Sequence, residues 1–492
     1  MRSRSTTTGL TALLVVASSL MIGTFPANAS TTTSVPAASH LRASHVSAST
    51  LVLTWQLPAN LVVSGALVRT SASRFAPSAP SKGVGLGNVP RPGHKLTVNH
   101  LAASTWYSFS VFAHDPHGHF ARAASISVRT AKIVRSWKIA PSPKFGADDV
   151  ACPTTKTCVA VGSVRVGNTA ASNTLVERWN GNRWAIEPSD NPTSLHRAEL
   201  NNVSCPTATT CTAVGDKSDS SVSPLLPYTL VERWNGTRWT IVPSPNPPSG
   251  DFASLTDVSC TSATSCVAVG GAFNPGPSLW WTFVERWDGT SWSIMPSPNP
   301  AGLSYANLTS VSCPTATSCT AVGNANNGTT ISRALVERWD GTSWTIVPTP
   351  SPARFPSASL NDVSCPTVTT CIAIGSVSKS DSSAGHLLVE RWDGTRWTIA
   401  TIPHPNVAEA ELTGVSCPLA TNCTAVGTDW NNFSVQRTLV EHWNGTRWAI
   451  APSPNRTGGS ALNDVSCPST TTCTAVGINR YNGVTLVARY GP

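Results

Sequence analysis

The stretch Cys313-Pro-Thr-Ala-Thr-Ser-Cys319-Thr-Ala-Val-Gly323, followed by Leu335-Val-Glu-Arg-Trp-Asp-Gly-Thr-Ser-Trp-Thr-Ile346, decides how this chain folds. The first element, C-x5-C-x-A-[VI]-G, occurs seven times, and the second, L-V-E-R-W-[ND]-G-x-x-W-x-I, runs between its copies. Each repeat offers four short strand patterns, two of them joined by an Asn-Gly or Asp-Gly hairpin signal. A period of roughly 50 residues built from such strands is typical of a propeller blade.

The repeat region begins and ends partway through the second sequence element. It opens with the tail of the second element at residues 136–139 and closes with the head of that element at residues 486–491. Because the two fragments add up to one unit, we expect a ring whose last sheet takes strands from both ends. Closure removes exposed sheet edges. An open solenoid is the alternative, and it predicts complete terminal caps.

The sequence therefore predicts an all-β chain with a seven-bladed β-propeller over residues 133–492. The layout resembles that of the WD40 and kelch propellers, although the signature residues of those groups are absent. The turn Asp288-Gly-Thr-Ser-Trp292 resembles the Asp box of sialidases, which is itself a structural turn. No arginine triad stands apart from the repeat, so the sequence gives sialidase chemistry no support.

All fourteen cysteines fall in the seven C-x5-C pairs. An even count with one pair in each repeat indicates local disulfides. Zinc is the competing interpretation, but five residues between cysteines is not a usual zinc spacing and no histidine recurs beside the pairs. The predicted disulfide cysteines are Cys152, Cys158, Cys205, Cys211, Cys260, Cys266, Cys313, Cys319, Cys365, Cys371, Cys417, Cys423, Cys467 and Cys473.

Residues 32–132 lack both the repeat and cysteine. Leu51, Leu53 and Trp55 alternate with other residues in the period of a half-buried strand. Trp55 and the segment Leu101-Ala-Ala-Ser-Thr-Trp-Tyr107-Ser-Phe-Ser-Val111 resemble the buried tryptophan and the tyrosine corner of fibronectin type III domains. The resemblance implies a β-sandwich that serves as a spacer or accessory module.

Residues 1–29 read as a signal peptide, with Arg2 and Arg4 before an apolar run and Ala27-Asn-Ala29 at the cleavage point. We therefore expect a secreted, bacterial protein with no lipid anchor and no membrane span in the mature chain. The formal charge of +9 is spread thinly, without the basic stripe that nucleic-acid binding usually needs. We expect a monomer without cofactor or metal.

Glutamate and arginine are adjacent in the third strand of most repeats, as in Glu285-Arg286. Neighbouring residues of a strand point to opposite faces of the sheet. We therefore predict that the glutamate of one blade pairs with the arginine of the next. Exposed, solvated charges are the alternative.

Function is to be sought where the sequence departs from the repeat. Departures on the loops after A-V-G and after W-x-I-x-P include aromatic residues suited to stacking on sugars or packing on a protein. The sequence favours an extracellular binding protein whose partner is a polysaccharide or a protein. The candidate binding residues are Trp280, Trp281, Tyr228, Phe273, Trp430, Phe433 and Tyr481.

Two alternatives remain open. The first is a polysaccharide-acting hydrolase or lyase with an acid pair outside the repeat, and the second is a purely structural surface protein. Three histidines in one loop, His114, His117 and His119, are a possible metal site, although exposed loop histidines without a ligand are far commoner. The off-repeat carboxylates are Asp190, Glu199, Asp216, Asp251, Glu409, Glu411 and Asp429.

Overall fold

The protein is described by a computed structural model that divides into two compact units, Met1–Ile133 and Val134–Pro492. The signal-peptide prediction for residues 1–29 lies outside the described residues. The structure describes residues 34–59, 62–142, 146–167, 171–192, 197–218, 227–247, 251–276, 278–328, 331–350, 352, 354–379, 385–405, 407, 409–431, 435–479 and 483–491.

The N-terminal unit contains two antiparallel sheets, one with the strand order β1-β2-β5 and the other with the order β4-β3-β6-β7. Leu51, Leu53 and Trp55 point into the core, where they meet Phe109 and Val111. The alternation that predicts a half-buried strand at residues 51–56 is therefore confirmed. The strands are β1 (Ser39–Ser44), β2 (Leu51–Gln56), β3 (Gly65–Ser71), β4 (Val84–Pro90), β5 (Lys95–Val98), β6 (Trp106–His114) and β7 (Ala124–Arg129).

The second unit contains the repeat and is also built of strands. Those of its first half are β8 (Ser136–Ala140), β9 (Gly146–Thr154), β10 (Thr157–Arg165), β11 (Ser172–Trp179), β12 (Trp184–Ile186), β13 (Arg197–Thr207), β14 (Thr210–Ser218), β15 (Pro227–Trp234), β16 (Trp239–Ile241), β17 (Phe252–Ser262), β18 (Ser265–Asn274), β19 (Leu279–Trp287) and β20 (Trp292–Ile294). Those of its second half are β21 (Tyr305–Thr315), β22 (Ser318–Asn326), β23 (Arg333–Trp339), β24 (Trp344–Ile346), β25 (Ser357–Thr367), β26 (Thr370–Ser378), β27 (His386–Trp392), β28 (Trp397–Ile399), β29 (Glu409–Leu419), β30 (Asn422–Asn431), β31 (Val435–Trp443), β32 (Trp448–Ile450), β33 (Ser460–Ser469), β34 (Thr472–Asn479) and β35 (Val484–Gly491).

The repeats form four-stranded antiparallel sheets in chain order, such as β17-β18-β19-β20. The arrays β9–β12 and β13–β16 are joined through one parallel pair, Ser172 with Arg197, into an eight-stranded sheet. The last sheet, β33-β34-β35-β8, takes its fourth strand from the start of the repeat region, where Trp137 pairs with Tyr490. The prediction of an all-β chain is confirmed for the described residues, which contain no helix.

The first strand of each repeat packs beside the first strand of the next, and β33 packs beside β9. A shift in register at a bulge turns polar side chains of these strands toward the following sheet. Asn201 Nδ2 donates to the Leu255 carbonyl at 2.8 Å. The Val150 amide donates to Asp464 Oδ2 at 3.2 Å, which joins the first sheet to the last.

All seven predicted cysteine pairs are disulfide-bonded. Each bond crosses the hairpin between the first and second strands of its repeat, as between Cys260 and Cys266, which face each other across β17 and β18. Seven disulfides suggest an extracellular protein, because such bonds persist in oxidising compartments. Among the described residues there is no helix of the length and apolar character that a membrane crossing requires.

The predicted pairing of glutamate with arginine between repeats is wrong, and the alternative of solvated charges is wrong for the glutamates, which are buried, although Arg391 is exposed. Glu285 is fully buried and accepts a hydrogen bond from Ser244 Oγ at 2.8 Å. Arg233 instead lies over the Trp287 ring of the next repeat, at 4.2 Å from the ring centroid. Glu285 and Arg233 thus have different partners, a hydroxyl for the carboxyl group and an indole ring for the guanidinium.

Candidate functional site

A polar cavity of about 380 Å³ lies where three consecutive repeats meet. Two of the off-repeat carboxylates, Glu409 and Glu411, are in its wall. All but two of the other lining residues carry hydroxyl or amide side chains, and none of the lining residues is Lys, Arg or His. They are Asn324, Ser332, Ser357, Ser359, Asn361, Ser376, Ser378, Gly385 and Ala410.

Strand geometry places the two glutamates on the same side of β29. Residues two apart on a strand share a face, whereas the residue between them points the other way. Ala410 accordingly lies fully buried in the hydrophobic core beside Leu412. Trp430 is the residue opposite Glu409 on β30, so the half-buried indole and this carboxylate are cross-strand neighbours.

The environment of Glu411 favours its protonated form. Burial raises the pKa of Glu411, and the negative charge of Glu409 raises it further. Asn361 Nδ2 donates to Glu411 Oε1 at 3.1 Å, which opposes the rise without cancelling it. The cavity thus holds an acid whose proton is retained to a higher pH than that of an ordinary glutamate.

The same position of the repeat carries a different arrangement on β13, where the sequence is Arg197-Ala198-Glu199. Arg197 Nη2 lies 2.6 Å from Glu199 Oε2 and forms an ion pair with it. Asp216 faces Glu199 across the strands and accepts a hydrogen bond from Ser254 Oγ at 3.0 Å. On β13, therefore, Arg197 supplies a positive charge beside the Glu199 carboxylate.

The remaining three off-repeat carboxylates have separate surroundings, and the charge of Asp190 acts on Glu232 of the repeat. Asp429 binds Arg437 Nε at 2.8 Å. Asp190 is exposed on the loop after β12. Asp251 lies in the wall of a separate cavity of about 320 Å³ together with Trp281.

Three aromatic rings meet at the loop ends of neighbouring repeats. The Trp280 ring lies 4.9 Å from that of Phe273 and 6.0 Å from that of Tyr305, between centroids. Trp280 keeps 37% of its surface exposed, so the cluster presents one indole to solvent. Tyr228 packs edge-on against Phe252 at 6.2 Å.

The other candidate aromatic residues are distributed differently. Trp281 points to the opposite face from Trp280 and is half-buried against the core. Trp430 lies beside Glu409, as described above. Phe433 and Tyr481 lie outside the described residues.

The histidine loop of the N-terminal unit is organised by Asp115. The backbone amides of His117 and His119 both donate to Asp115 Oδ1 at 2.9 Å, and His119 Nδ1 lies 2.8 Å from Oδ2. In the described ranges no group of three or more His, Cys, Asp or Glu side chains has an arrangement that could hold a metal ion. The loop has the contacts of a structural turn.

The sequence analysis did not identify a set of buried aspartates. Asp257 and Asp362 lie in the bulges of first strands, and burial raises the pKa of Asp257 to about 6 and of Asp362 to about 7. The recurrence of Leu-[Asn/Thr]-Asp before Val-Ser-Cys was the signal that could have located them. They join sheets: Asp257 Oδ2 accepts the Val311 amide of the next repeat.

No protein-family model and no curated protein sequence matches the chain. Among solved structures, an ulvan lyase, described as a new family of polysaccharide lyase and bound to -[GlcA(1-4)Rha3S]-, is similar over 70% of this chain and 93% of its own, with 8% identity and a TM-score of 0.47. A xyloglucanase from Xanthomonas campestris is similar over 76% of this chain and 60% of its own, with 13% identity and a TM-score of 0.30.

A computer-redesigned β-sandwich protein is similar over 20% of this chain and 98% of its own, with 21% identity and a TM-score of 0.17. The structural neighbours thus include enzymes that act on polysaccharides, at low identity. No residue role in this chain rests on them.

Proposed function

We propose that this chain is an exported polysaccharide-acting enzyme of the glycoside hydrolase type, with Glu409 and Glu411 as its acid pair. The observation that carries the proposal is that both carboxylates line one cavity among hydroxyl and amide groups. These groups match the hydrogen-bonding capacity of sugar hydroxyls. The volume of about 380 Å³ is within the usual range for ligand sites.

The two carboxylates take different roles because their surroundings differ. Glu411, with its raised pKa, is the general acid that protonates the glycosidic oxygen as the bond to the anomeric carbon breaks. Glu409 is the base that accepts a proton from the water attacking that carbon. Inverting glycosidases keep their carboxyl groups about 6.5–9.5 Å apart, which leaves room for that water, and the proposal assigns this arrangement to Glu409 and Glu411.

The architecture that supports this site is a seven-bladed β-propeller, with the eight-stranded sheet counted as two blades. The pairing of β35 with β8 and the bond from Val150 to Asp464 support closure of the ring. A closed ring fixes consecutive blades relative to one another, as a cavity shared by three blades requires. Residues 133–492 form this domain in our proposal.

Residues 32–132 are a fibronectin type III-like sandwich in the same proposal. The separation into a three-stranded and a four-stranded sheet supports it. So does the hydroxyl of Tyr107, which accepts a hydrogen bond from the Ala102 amide at 2.9 Å, the contact of a tyrosine corner. The seven disulfides and the predicted signal peptide at residues 1–29 support export.

A binding function without catalysis is the second candidate. The cluster of Phe273, Trp280 and Tyr305 favours it, because an exposed indole held by two other rings is a rigid surface for a sugar face. In that case the polymer is retained and not cleaved.

The proposal is tested by incubating the protein with a panel of extracellular polysaccharides and measuring new reducing ends. Proton NMR of the first products reports the configuration at the anomeric carbon, and we expect inversion. Unsaturated ends would indicate a lyase. Binding of a polymer with no product from any member of the panel would contradict hydrolysis and leave the second candidate.

A further inference from the structure

The turns of the repeat region are collected at one end of the sheets. In the first repeat, the turn between the third and fourth strands packs on the disulfide hairpin, where a Cβ placed on Gly181 would lie 3.5 Å from that of Lys156. In five further repeats the equivalent glycine lies against a threonine of the hairpin. We call this end the hairpin face. It is opposite to the acid cavity, because Glu409 begins β29 whereas the hairpin follows its last residue, Leu419.

Arginine side chains join the hairpins of consecutive repeats on this face. Arg178 Nη2, in the first repeat, donates to the Ala208 carbonyl of the second repeat at 2.8 Å. Arg489 Nη2, in the seventh repeat, donates to the Thr155 carbonyl of the first repeat at 3.2 Å. Repeats at the two ends of the sequence are therefore neighbours on the hairpin face.

The geometry of the turn between the third and fourth strands does not decide its charge. The Asn235 side-chain carbonyl accepts the amides of Thr237 and Arg238 at 2.9 and 3.1 Å. The Asp288 carboxylate accepts the two equivalent amides at 2.8 and 2.9 Å. These bonds, above all the one from the Ser291 amide, lower the pKa of Asp288 to about 2, so its turn is negatively charged at neutral pH. Asparagine and aspartate both hold the turn, and the choice between them sets the surface charge.

The turns fall into two main kinds by charge. In three of them the first residue is asparagine and the fourth is arginine, which gives one net positive charge. In two others the first residue is aspartate and the fourth is serine, which gives one net negative charge. The positive turns are residues 180–183, 235–238 and 444–447, and the negative turns are residues 288–291 and 340–343.

The three positive turns belong to the sixth, first and second repeats, and the seventh repeat lies between the sixth and the first. The seventh repeat adds the exposed Lys138 on β8, which pairs with β35. The first disulfide hairpin adds the exposed Lys156 where the other six hairpins have threonine. The five exposed cations form a surface that we call the basic arc: Lys138, Lys156, Arg183, Arg238 and Arg447.

Acidic side chains at or beside these turns have cations of their own. Asp393 Oδ2 lies 3.8 Å from Arg396 Nε in the turn between β27 and β28, so that turn is neutral. Glu187, directly after β12, lies 3.8 Å from Arg178 Nε. The third-strand arginines recur on both sides of the face and do not create the contrast. The charge of the basic arc therefore comes from residues that vary between repeats.

We propose that the basic arc binds a linear acidic polysaccharide, a polymer with carboxylate or sulfate groups along its length. The cations are spread over four consecutive repeats, so they match anionic groups at intervals along a chain better than one compact anion. Asparagine and threonine side chains between the cations suit sugar hydroxyls. Trp184 and Trp239 of these turns are buried, whereas single-stranded nucleic acid is bound by exposed rings on which its bases stack.

The test is a calorimetric titration of the full chain at pH 7 and low salt with polymers of similar length. Polygalacturonate carries carboxylates, dextran sulfate carries sulfates, and dextran is the uncharged control for the latter. Duplex DNA is a polyanion of another class. We expect both acidic polysaccharides to bind more tightly than dextran and DNA. Added salt should weaken this binding, because it screens exposed charges.

A triple variant locates the binding surface. Arg183→Ser, Arg238→Ser and Arg447→Ser together give the positive turns the residue that Ser291 provides in a negative one. The affinity for the acidic polysaccharides should fall by about tenfold, since each exposed charge contact contributes about twofold. Arg396→Ser is the matched control, the same substitution in the neutral turn outside the arc, and should leave the affinity within about twofold of the parent.

The reverse change extends the arc into the third repeat. Asp288→Asn combined with Ser291→Arg keeps a side chain that accepts the turn amides and replaces a negative turn by a positive one. The affinity for acidic polysaccharides should rise by about twofold to fivefold. Circular dichroism verifies folding, and this gain decides the question if the triple variant fails to fold.

Three results would overturn the inference: no binding of either acidic polysaccharide at low salt, an equal loss of affinity in Arg396→Ser and in the triple variant, or tighter binding of duplex DNA. The inference goes beyond the proposed function and does not depend on it, because the arc and the acid cavity are at opposite ends of the sheets. Binding through the arc without cleavage of any polymer contradicts hydrolysis alone. Cleavage of a polymer without binding through the arc contradicts this inference alone.

Discussion

Strands β13 and β29 occupy the same position in their repeats. A three-residue segment of one differs from that of the other only at its first residue, which is a cation on β13 and an acid on β29. On β13 the frame Arg197-Ala198-Glu199 forms an ion pair, and on β29 the frame Glu409-Ala410-Glu411 places two acids together in a cavity. The contrast teaches that the repeat fixes where a side chain points, whereas a single off-repeat residue decides what the position does. Charge compensation makes the first frame structural, and its absence makes the second a candidate for chemistry.

The largest expected effect comes from transferring the β13 arrangement to β29. In Glu409→Arg, the new guanidinium should pair with Glu411 and lower its pKa, because an adjacent cation stabilises the carboxylate. Loss of both the base and the raised pKa should reduce hydrolysis by at least about 100-fold, within the range for general acid–base groups. Carbon-detected NMR titration of Glu411 measures the pKa shift. An unchanged rate in this variant would contradict the assigned roles.

The reverse exchange, Arg197→Glu, should lower the free energy of unfolding by about 1–2 kcal/mol at pH 7. The substitution replaces the cation beside Glu199 with a like charge. Asp148 is also close to Glu199, and its pKa is already raised to about 6 by burial and by the charge of Glu199. Urea denaturation measures the loss. The loss should shrink as the pH falls below about 6, where Asp148 takes up a proton, and a pH-independent loss would mean that charge is not the cause.

The glutamates that recur in the third strand of the repeats, such as Glu285, are a third arrangement of acids. In the described part of the chain they are buried and no cation pairs with them. Burial raises the pKa of Glu285 from its usual 4.5 to about 8. The folded state therefore keeps a proton that the unfolded chain loses, so stability is fully present below pH 4.5 and is lost as the pH rises toward 8. Thermal denaturation should give a higher Tm at pH 5 than at pH 9.

Glu285→Gln should retain the contact with Ser244 and remove the charge. At pH 9 the variant should be more stable than the parent by about 1 kcal/mol, since one pKa unit corresponds to about 1.4 kcal/mol and relaxation absorbs part of the effect. Lys156→Gln, at an exposed side chain of the repeat region, is the control and should change little. Destabilisation of Glu285→Gln at pH 9 would show that the buried charge has a stabilising partner.

The smallest expected effect is at the aromatic cluster. Trp280 is outside the wall of the acid cavity, so Trp280→Ala should raise KM by about 2- to 10-fold with little change in kcat, on the scale of one ring contact. Phe75→Ala, at an exposed ring in the N-terminal unit, serves as the control. A fall in kcat alone would indicate that Trp280 acts on the chemistry rather than on binding.

The sequence predicts much of the fold because the informative residues are local. Cys260 and Cys266 close their own hairpin, and Asp288-Gly289 forms the turn between adjacent strands, with the Asp288 carboxylate accepting the Thr290 amide at 2.8 Å. The residues that form such contacts lie within a few positions of one another in the sequence. The phase of the repeat likewise predicts that β8 and β35 meet, as they do.

Contacts between repeats were harder to predict. The partner of Glu285 is Ser244, about 40 residues away on a loop whose position depends on how two sheets pack. Glu409 and Glu411 could be recognised as departures from the repeat, but their cavity also needs Asn324, Ser357 and Asn361 from two other repeats. Sequence spacing within one strand carries no information about that convergence.

The central claim is tested most directly by comparing Glu411→Gln with Glu199→Gln, the same substitution at the same position of two repeats. Both proteins are assayed for new reducing ends on the polymer that the parent cleaves best. We expect Glu411→Gln to lose at least about 100-fold in kcat and Glu199→Gln to remain within about twofold of the parent, which is the scale of a surface substitution. Equal activity in the two variants would contradict the assignment of the acid to β29.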